Sequence, residues 1–247
     1  MLTTREMTST RPILAIMTIA FAVAFNIPFS NLSRIFDYPG VLRRPAGEVL
    51  DFFARGGAEL VLTWHGFALA ALLLVPLSIA LSLTPARVAS RPALAIGAAV
   101  AGALAGLSQA LGLWRWVFVI PELARTHADP AATEAARLGA EQAFVILNLY
   151  GGVAVGEHMG QLLTATFVIM LSLLQWGEGN RITSTIGFVT AAAIVIGTNE
   201  GLAIALGRSG DLFGSVTVLG FLGLTAWLIA TGVTLLRANK SNARIAK

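Results

Sequence analysis

Seven polar or ionisable side chains stand inside long apolar stretches of the chain: His65, Gln109, Arg115, Glu157, His158, Asn199 and Glu200, with Glu59 at the edge of one. Charge is costly in lipid and usually turns toward a bundle interior, so these residues mark where chemistry could sit. Several chemistries compete for them. Arg115 could pair internally with Glu157 or Glu200, with the amides completing the hydrogen bonds. The same groups could line a pocket for a small polar ligand or lipid headgroup, open to the outer side. Glu157, His65 and Glu200 could relay a proton. Glu157, Glu200 and a histidine could hold a divalent metal.

Other constellations are weaker. His158 adjoins Glu157, but neighbours on a helix point about 100° apart and cannot share one centre. Two histidines at four-residue spacing, as in zincins, are absent. A haem between His65 and His158 has only helix count in its favour. Trp114 and Trp116 flank Arg115 and read as an interfacial aromatic belt, with a cation–π cage as the sharper alternative. His127 reads as a solvated loop histidine. No cofactor follows from the residues. The chain has no cysteine, and no Gly-rich phosphate loop, serine elbow or spaced catalytic carboxylate pair appears, which weighs against an ATPase or hydrolase.

Span four carries Gly152, Gly156 and Gly160, a four-residue repeat that clears a smooth stripe. Gly102 with Gly106, and Gly197 with Gly201, offer the same on two other spans. Such stripes let a neighbouring helix backbone come close, and read here as tight packing that holds Glu157 near a helix contact. The Gly152 stripe could instead serve a second copy or a partner membrane protein.

The elements that must position these residues follow from composition. The chain has 247 residues, 56% hydrophobic and only 12% charged, with a mean hydropathy of +0.77. That is about half the usual charge, too little to cover a water-soluble globule or to keep a chain disordered. The formal charge of +4 does not point to nucleic acid, because the bases are scattered and form no clustered face. Membrane lipids are the expected surroundings. Six runs reach the roughly 20 apolar residues that a membrane-crossing helix needs: about 12–31, 58–83, 92–120, 151–176, 182–206 and 212–236. They are long, continuous and rich in Ala and Leu, so they read as helices. Pro12 and Pro92 open spans, Pro121 ends one, and Gly207 and Gly210 close another. The first run resembles a signal peptide at Arg5, Arg11 and Ala22-Val23-Ala24, but its apolar stretch continues past that point and reads as a retained helix.

Depth along these spans is informative. His65 lies seven residues from the outer start of its span, and Glu157 six from its own. Arg115 lies five and Glu200 six from the outer ends of theirs. At 1.5 Å per residue this sets all four roughly 8–11 Å below the outer surface. Nine Lys and Arg lie near the ends that face one side, including the four-base tail from Arg237, against seven on the other. With the short loops on the richer side, both termini read as cytoplasmic. In the first outer loop, Pro45 to Arg55 places Val49, Phe52 and Phe53 on one face, as a short helix lying in the interface. In the second, Asp129-Pro130 reads as a helix cap followed by a helix over Ala131 to Tyr150.

Four runs of residues carry a family resemblance. They are Phe36-Asp37-Tyr38-Pro39-Gly40-Val41-Leu42-Arg43-Arg44-Pro45, Leu62-Thr63-Trp64-His65-Gly66-Phe67-Ala68-Leu69, residues 109–119 around Leu113-Trp114-Arg115-Trp116, and residues 150–160 around Gly156-Glu157-His158. Together, and over nearly the whole chain, they resemble a bacterial six-helix membrane family of unknown function, DUF4386. The resemblance implies a fold and a bacterial inner membrane, and no activity. Its motif residues Arg115, Glu157 and His158 coincide with those singled out by depth.

The expectation is therefore a single all-α integral membrane domain over residues 1–247, a bundle of six transmembrane helices with short amphipathic helices in its two outer loops. For function, a non-enzymatic protein that binds or moves a small ligand, lipid headgroup or proton at Arg115, Glu157 and Glu200 comes first. A membrane enzyme or redox subunit with a metal or haem at His65, Glu157 and His158, and a structural or regulatory partner of another membrane protein, are the alternatives.

Overall fold

The computed structural model of the protein describes residues 4–245, with side chains for residues 12–238. The terminal bases of the topology argument (Arg5, Arg11, Lys240, Arg244 and Lys247) lie outside the described side chains. The fold is all-α, with no strand among the described residues, and six helical runs are long and apolar enough to cross a membrane. Three of these runs, of 37, 37 and 44 residues, far exceed what a bilayer requires, so their polar ends extend past the apolar crossing.

In chain order the elements are α1 (Thr4–Phe36), a 3-10 turn (Gly40–Arg43), α2 (Ala46–Leu72), α3 (Leu74–Ser82), α4 (Pro85–Ser90), α5 (Pro92–Phe118) and α6 (Ile120–Ala128). There follow α7 (Glu134–Leu147), a π-helix (Asn148–Met159), α8 (Gly160–Gly177), α9 (Arg181–Gly197), α10 (Asn199–Ala205) and α11 (Asp211–Ile245). Two compact units are built from them. One takes Met1–Val23, Leu73–Gly106 and Gln161–Lys247; the other takes Ala24–Leu72 and Leu107–Gly160.

Several local expectations need correction. The membrane-length apolar run begins at Pro12, but the helix that carries it, α1, already runs from Thr4. Pro121 follows the end of α5 but sits in the first turn of α6, where its missing N–H costs nothing. Asp129 does not cap a helix: its carboxylate accepts the Ala131 N–H in a tight turn, and the helix begins at Glu134. The cap is Thr133, whose hydroxyl accepts the Ala136 N–H at 3.2 Å.

The second unit holds an aromatic core. The Trp64 and Trp116 rings stack at 4.8 Å and 7°, with Phe53 stacked on Trp116 and Phe36 and Phe144 set edge-on to it. Trp116 is therefore fully buried in protein and is not part of an interfacial belt. The core explains the first outer loop as well. Gly57, at φ 57° and ψ −154°, breaks α2 and separates residues 46–56 from the apolar crossing. The apolar face of residues 46–56 does not lie open in the interface: Val49, Leu50 and Phe53 are buried in this core.

The first unit is organised by α9 against α11. Gly187, Gly197, Gly220 and Gly223 allow the approach; a Cβ on Gly197 would stand 2.7 Å from the Thr217 backbone nitrogen. Buried Trp227 donates to Gln175, and Gln175 donates to Thr231 at 3.0 Å. Gly102 packs on Ser78 and Phe167, as its place in a small-residue pair suggested.

Candidate functional site

The second unit's polar cluster is built on the contact between α5 and the π-helix. Four glycines among residues 151–160 relax the backbone into wide turns, in which the Gly160 N–H reaches back to the Val155 carbonyl. Gly112 of α5 meets Gly156 backbone to backbone: a Cβ on Gly112 would stand 2.7 Å from the Gly156 Cα. One turn along α5, the Arg115 guanidinium lies on Gly152, where a Cβ would be 2.5 Å from Nη2. One turn the other way, Gln109 is buried against Gly160. The stripe Gly152, Gly156 and Gly160 thus packs on Arg115, Gly112 and Gln109 of the same chain.

Arg115 is 7% exposed and has no hydrogen-bonded carboxylate among the described residues. Its Nη1 donates to the Gly112 carbonyl, and its Nη2 donates to Asn148 Oδ1 at 3.1 Å. Its Nε is buried with no acceptor, and its guanidinium carbon lies 5.2 Å from the centre of the Trp116 ring. The direct hydrogen-bonded pairing of Arg115 with Glu157, one of the readings open from sequence, is not made. Glu157 instead accepts from Arg43 at 2.6 Å through Oε2, while its Oε1 is buried without a hydrogen bond. Asn148 ties the arrangement to the first outer loop, because its Nδ2 donates to the Leu42 carbonyl at 3.4 Å. The cation–π contact of Arg115 is internal, with the Trp116 ring edge belonging to the core.

The remaining expected residues distribute as follows. His65 follows the buried Trp64 and holds its Nδ1 buried without a partner. His158 is half-buried beside Glu157 on the π-helix. Asn199 and Glu200 belong to the first unit. Asn199 opens α10 and its side chain donates to the Val195 and Ile196 carbonyls at the end of α9, at 3.0 Å each. Glu200 folds over Gly210 and Gly214, where a Cβ on Gly214 would be 3.2 Å from Oε1. Among the described residues no group of three His, Asp or Glu could hold a metal ion, so His65, Glu157 and His158 are not gathered into a metal centre.

Three participants were missed from sequence. Arg43 was counted only as an outer base. Asn148 carried a legible signal, an amide within the apolar approach to Gly151. His127 is no solvated histidine: its side chain is 11% exposed, with Nδ1 2.8 Å from Asp51 and Nε2 2.9 Å from Glu141.

A model of a domain of unknown function (DUF4386) matches residues 13–232. No curated protein and no solved structure matches the chain. With the match running from the first membrane-length helix to the last, the chain belongs to the DUF4386 family.

Proposed function

We propose that the protein is a non-enzymatic membrane protein that binds an anionic group, a carboxylate or a phosphate, against Arg115, and so binds or moves a small ligand or a lipid headgroup. One observation carries this reading: a buried guanidinium with no hydrogen-bonded carboxylate among the described residues and an unpaired Nε. Guanidinium is always charged and presents five donors in a fork that fits carboxylate and phosphate oxygens. Its two hydrogen-bond partners here are neutral, and Glu157, which attracts it through space, is hydrogen-bonded to Arg43. A buried guanidinium without a directly bonded counter-ion is expensive at membrane depth, and an anion from outside the chain supplies one. Gly152 supports the reading, because the guanidinium occupies the space a side chain would fill. The setting we propose is a bacterial inner membrane, with one integral domain and both termini cytoplasmic. The base count and the short inner loops support that orientation.

The test is native mass spectrometry of the full chain released from mild detergent, alongside thermal shifts with inorganic phosphate, acetate and phosphatidylglycerol. The wild type is expected to retain or bind at least one probe. Arg115→Gln, with unchanged helicity, should bind it at least about tenfold more weakly, the worth of one charge-assisted contact. A retained phospholipid mass names a headgroup; a response to phosphate or acetate alone names a soluble anion. Equal binding by Arg115→Gln, or no binding of any probe by the wild type, overturns the reading.

A further inference from the structure

We propose that residues 37–56 are fastened at their outer edge by a pH-set latch, in which the His127 ring joins Asp51 of α2 to Glu141 of α7. The segment is bracketed by left-handed backbone, Asp37 at φ 52° and Gly57 at φ 57°. Within it, Arg44 pairs with Asp37, so the turn is tied to itself. Its underside meets the site: Asn148 joins the Leu42 carbonyl to Arg115, and Arg43 reaches Glu157. Its outer edge meets the latch. Gly47 and Asp51 lie one helical turn apart on the same face. A Cβ on Gly47 would stand 2.8 Å from Glu141 Oε1 and 3.4 Å from His127 Nε2.

The chemistry of the ring makes the latch sensitive to pH. A neutral imidazole has one N–H, so one carboxylate would face a lone pair; an imidazolium donates to both. Asp51 from α2 and Glu141 from α7 are the charged groups that face the ring. Elsewhere on these helices Glu122 pairs with Arg125, Arg137 donates to the Asp129 carbonyl, Arg55 lies over Phe52, and Glu48 and Glu134 are exposed. His127 sits in the polar α6, beyond the apolar crossing. Burial works against its charged form, but the hydrogen bonds and charges of Glu141 and Asp51 outweigh this and raise its pKa above the usual 6.5. A histidine with a raised folded pKa gives its full stabilisation below the unfolded value and loses it as pH rises through the folded one. The latch is therefore closed in acid and slackens as pH rises through the raised His127 pKa.

The latch does not rest on the anion-binding reading. Hydrogen exchange of the full chain in detergent tests it, as protection factors corrected for intrinsic rates at pH 5.5 and 9. Wild-type amides in 46–56 should lose protection roughly five- to tenfold between the two, the worth of one charge-assisted hydrogen bond. His127→Gln should abolish that drop while protection in α8 and α9 is unchanged. Glu141→Gln, a milder variant, should reduce it. A flat wild-type profile, or an undiminished drop in either variant, overturns the latch. Unchanged anion binding by Arg115→Gln overturns the binding reading alone, because the protection drop does not depend on it.

Discussion

Arg43 and Glu157, 114 positions apart in sequence, form an ion pair of 2.6 Å, and Glu157 is thereby engaged by a loop cation in place of the membrane-depth Arg115. The two pairings are separable by double-mutant cycles on thermal stability. Arg43→Gln with Glu157→Gln should show a coupling of about 0.5–1 kcal/mol, modest because both side chains keep some water contact. Arg115→Gln with Glu157→Gln should be closer to additive. A larger coupling for the second pair would mean that Glu157 balances Arg115 after all.

Gly152 is where the Arg115 guanidinium rests, and Ala there would put a Cβ 2.5 Å from Nη2 and 2.7 Å from the guanidinium carbon. Gly152→Ala should destabilise by about 1–3 kcal/mol through overpacking. Because the clash is with a side chain, shortening that side chain should relieve it. Gly152→Ala in an Arg115→Gln background should therefore cost visibly less, read as the shift in melting temperature between the two pairs.

Two glycines should respond with opposite sign. A Cβ on Gly112 would meet the Gly156 backbone, which cannot swing aside, so Gly112→Ala should lower the melting temperature by more than Gly152→Ala does. Gly139 lies inside α7 with nothing within 4 Å of an added Cβ. Gly139→Ala should stabilise by about 0.5–1 kcal/mol, by reducing the freedom of the unfolded chain. Destabilisation at Gly139 would contradict the open surface found there.

What could be read in the sequence followed the physics of each residue. Six crossings were legible because lipid demands about 20 apolar residues, a signal that needs no partner. Arg115 and Glu157 stood out for the same reason, as charge where charge is expensive. Their partners were not legible. Arg43 and Leu42 reach the site only through the path of a loop, and loop paths depend on tertiary contacts. Trp116 was misread because a tryptophan near a span's end suits a lipid interface as well as a core. His127 was misread because the two carboxylates that enclose it come from residues 76 and 14 positions away. The π-helix had a compositional trace in its glycines, but those also encode tight packing, and composition does not separate the two.

The start of α7 tests how well capping chemistry assigns helix ends. Thr133 accepts the Ala136 N–H, whereas Asp129 accepts the Ala131 N–H of a turn. Thr133→Ala should cost about 1 kcal/mol and expose the first amides of α7 to exchange. Asp129→Ala should leave those amides protected. The reverse pattern would place the helix start at Asp129-Pro130.

In the first unit, Arg87 is 8% exposed and binds both oxygens of Glu178, at 2.5 and 2.7 Å, while its remaining Nη1 donates to the Leu81 carbonyl. The pair closes α4 onto the end of α8. Glu178→Gln keeps the shape of the acceptor but removes its charge and one of its oxygens, which leaves a buried guanidinium half-satisfied. Breaking a fully buried pair costs about 3–5 kcal/mol, but the Glu178 side chain is 38% exposed, so water recovers part of the loss. A destabilisation of about 1–3 kcal/mol is expected. Arg87→Lys should cost a similar amount, because a single ammonium cannot span both carboxylate oxygens and the carbonyl. If Arg87→Lys melts like the wild type, the fork geometry contributes nothing and the pair acts only as two opposite charges.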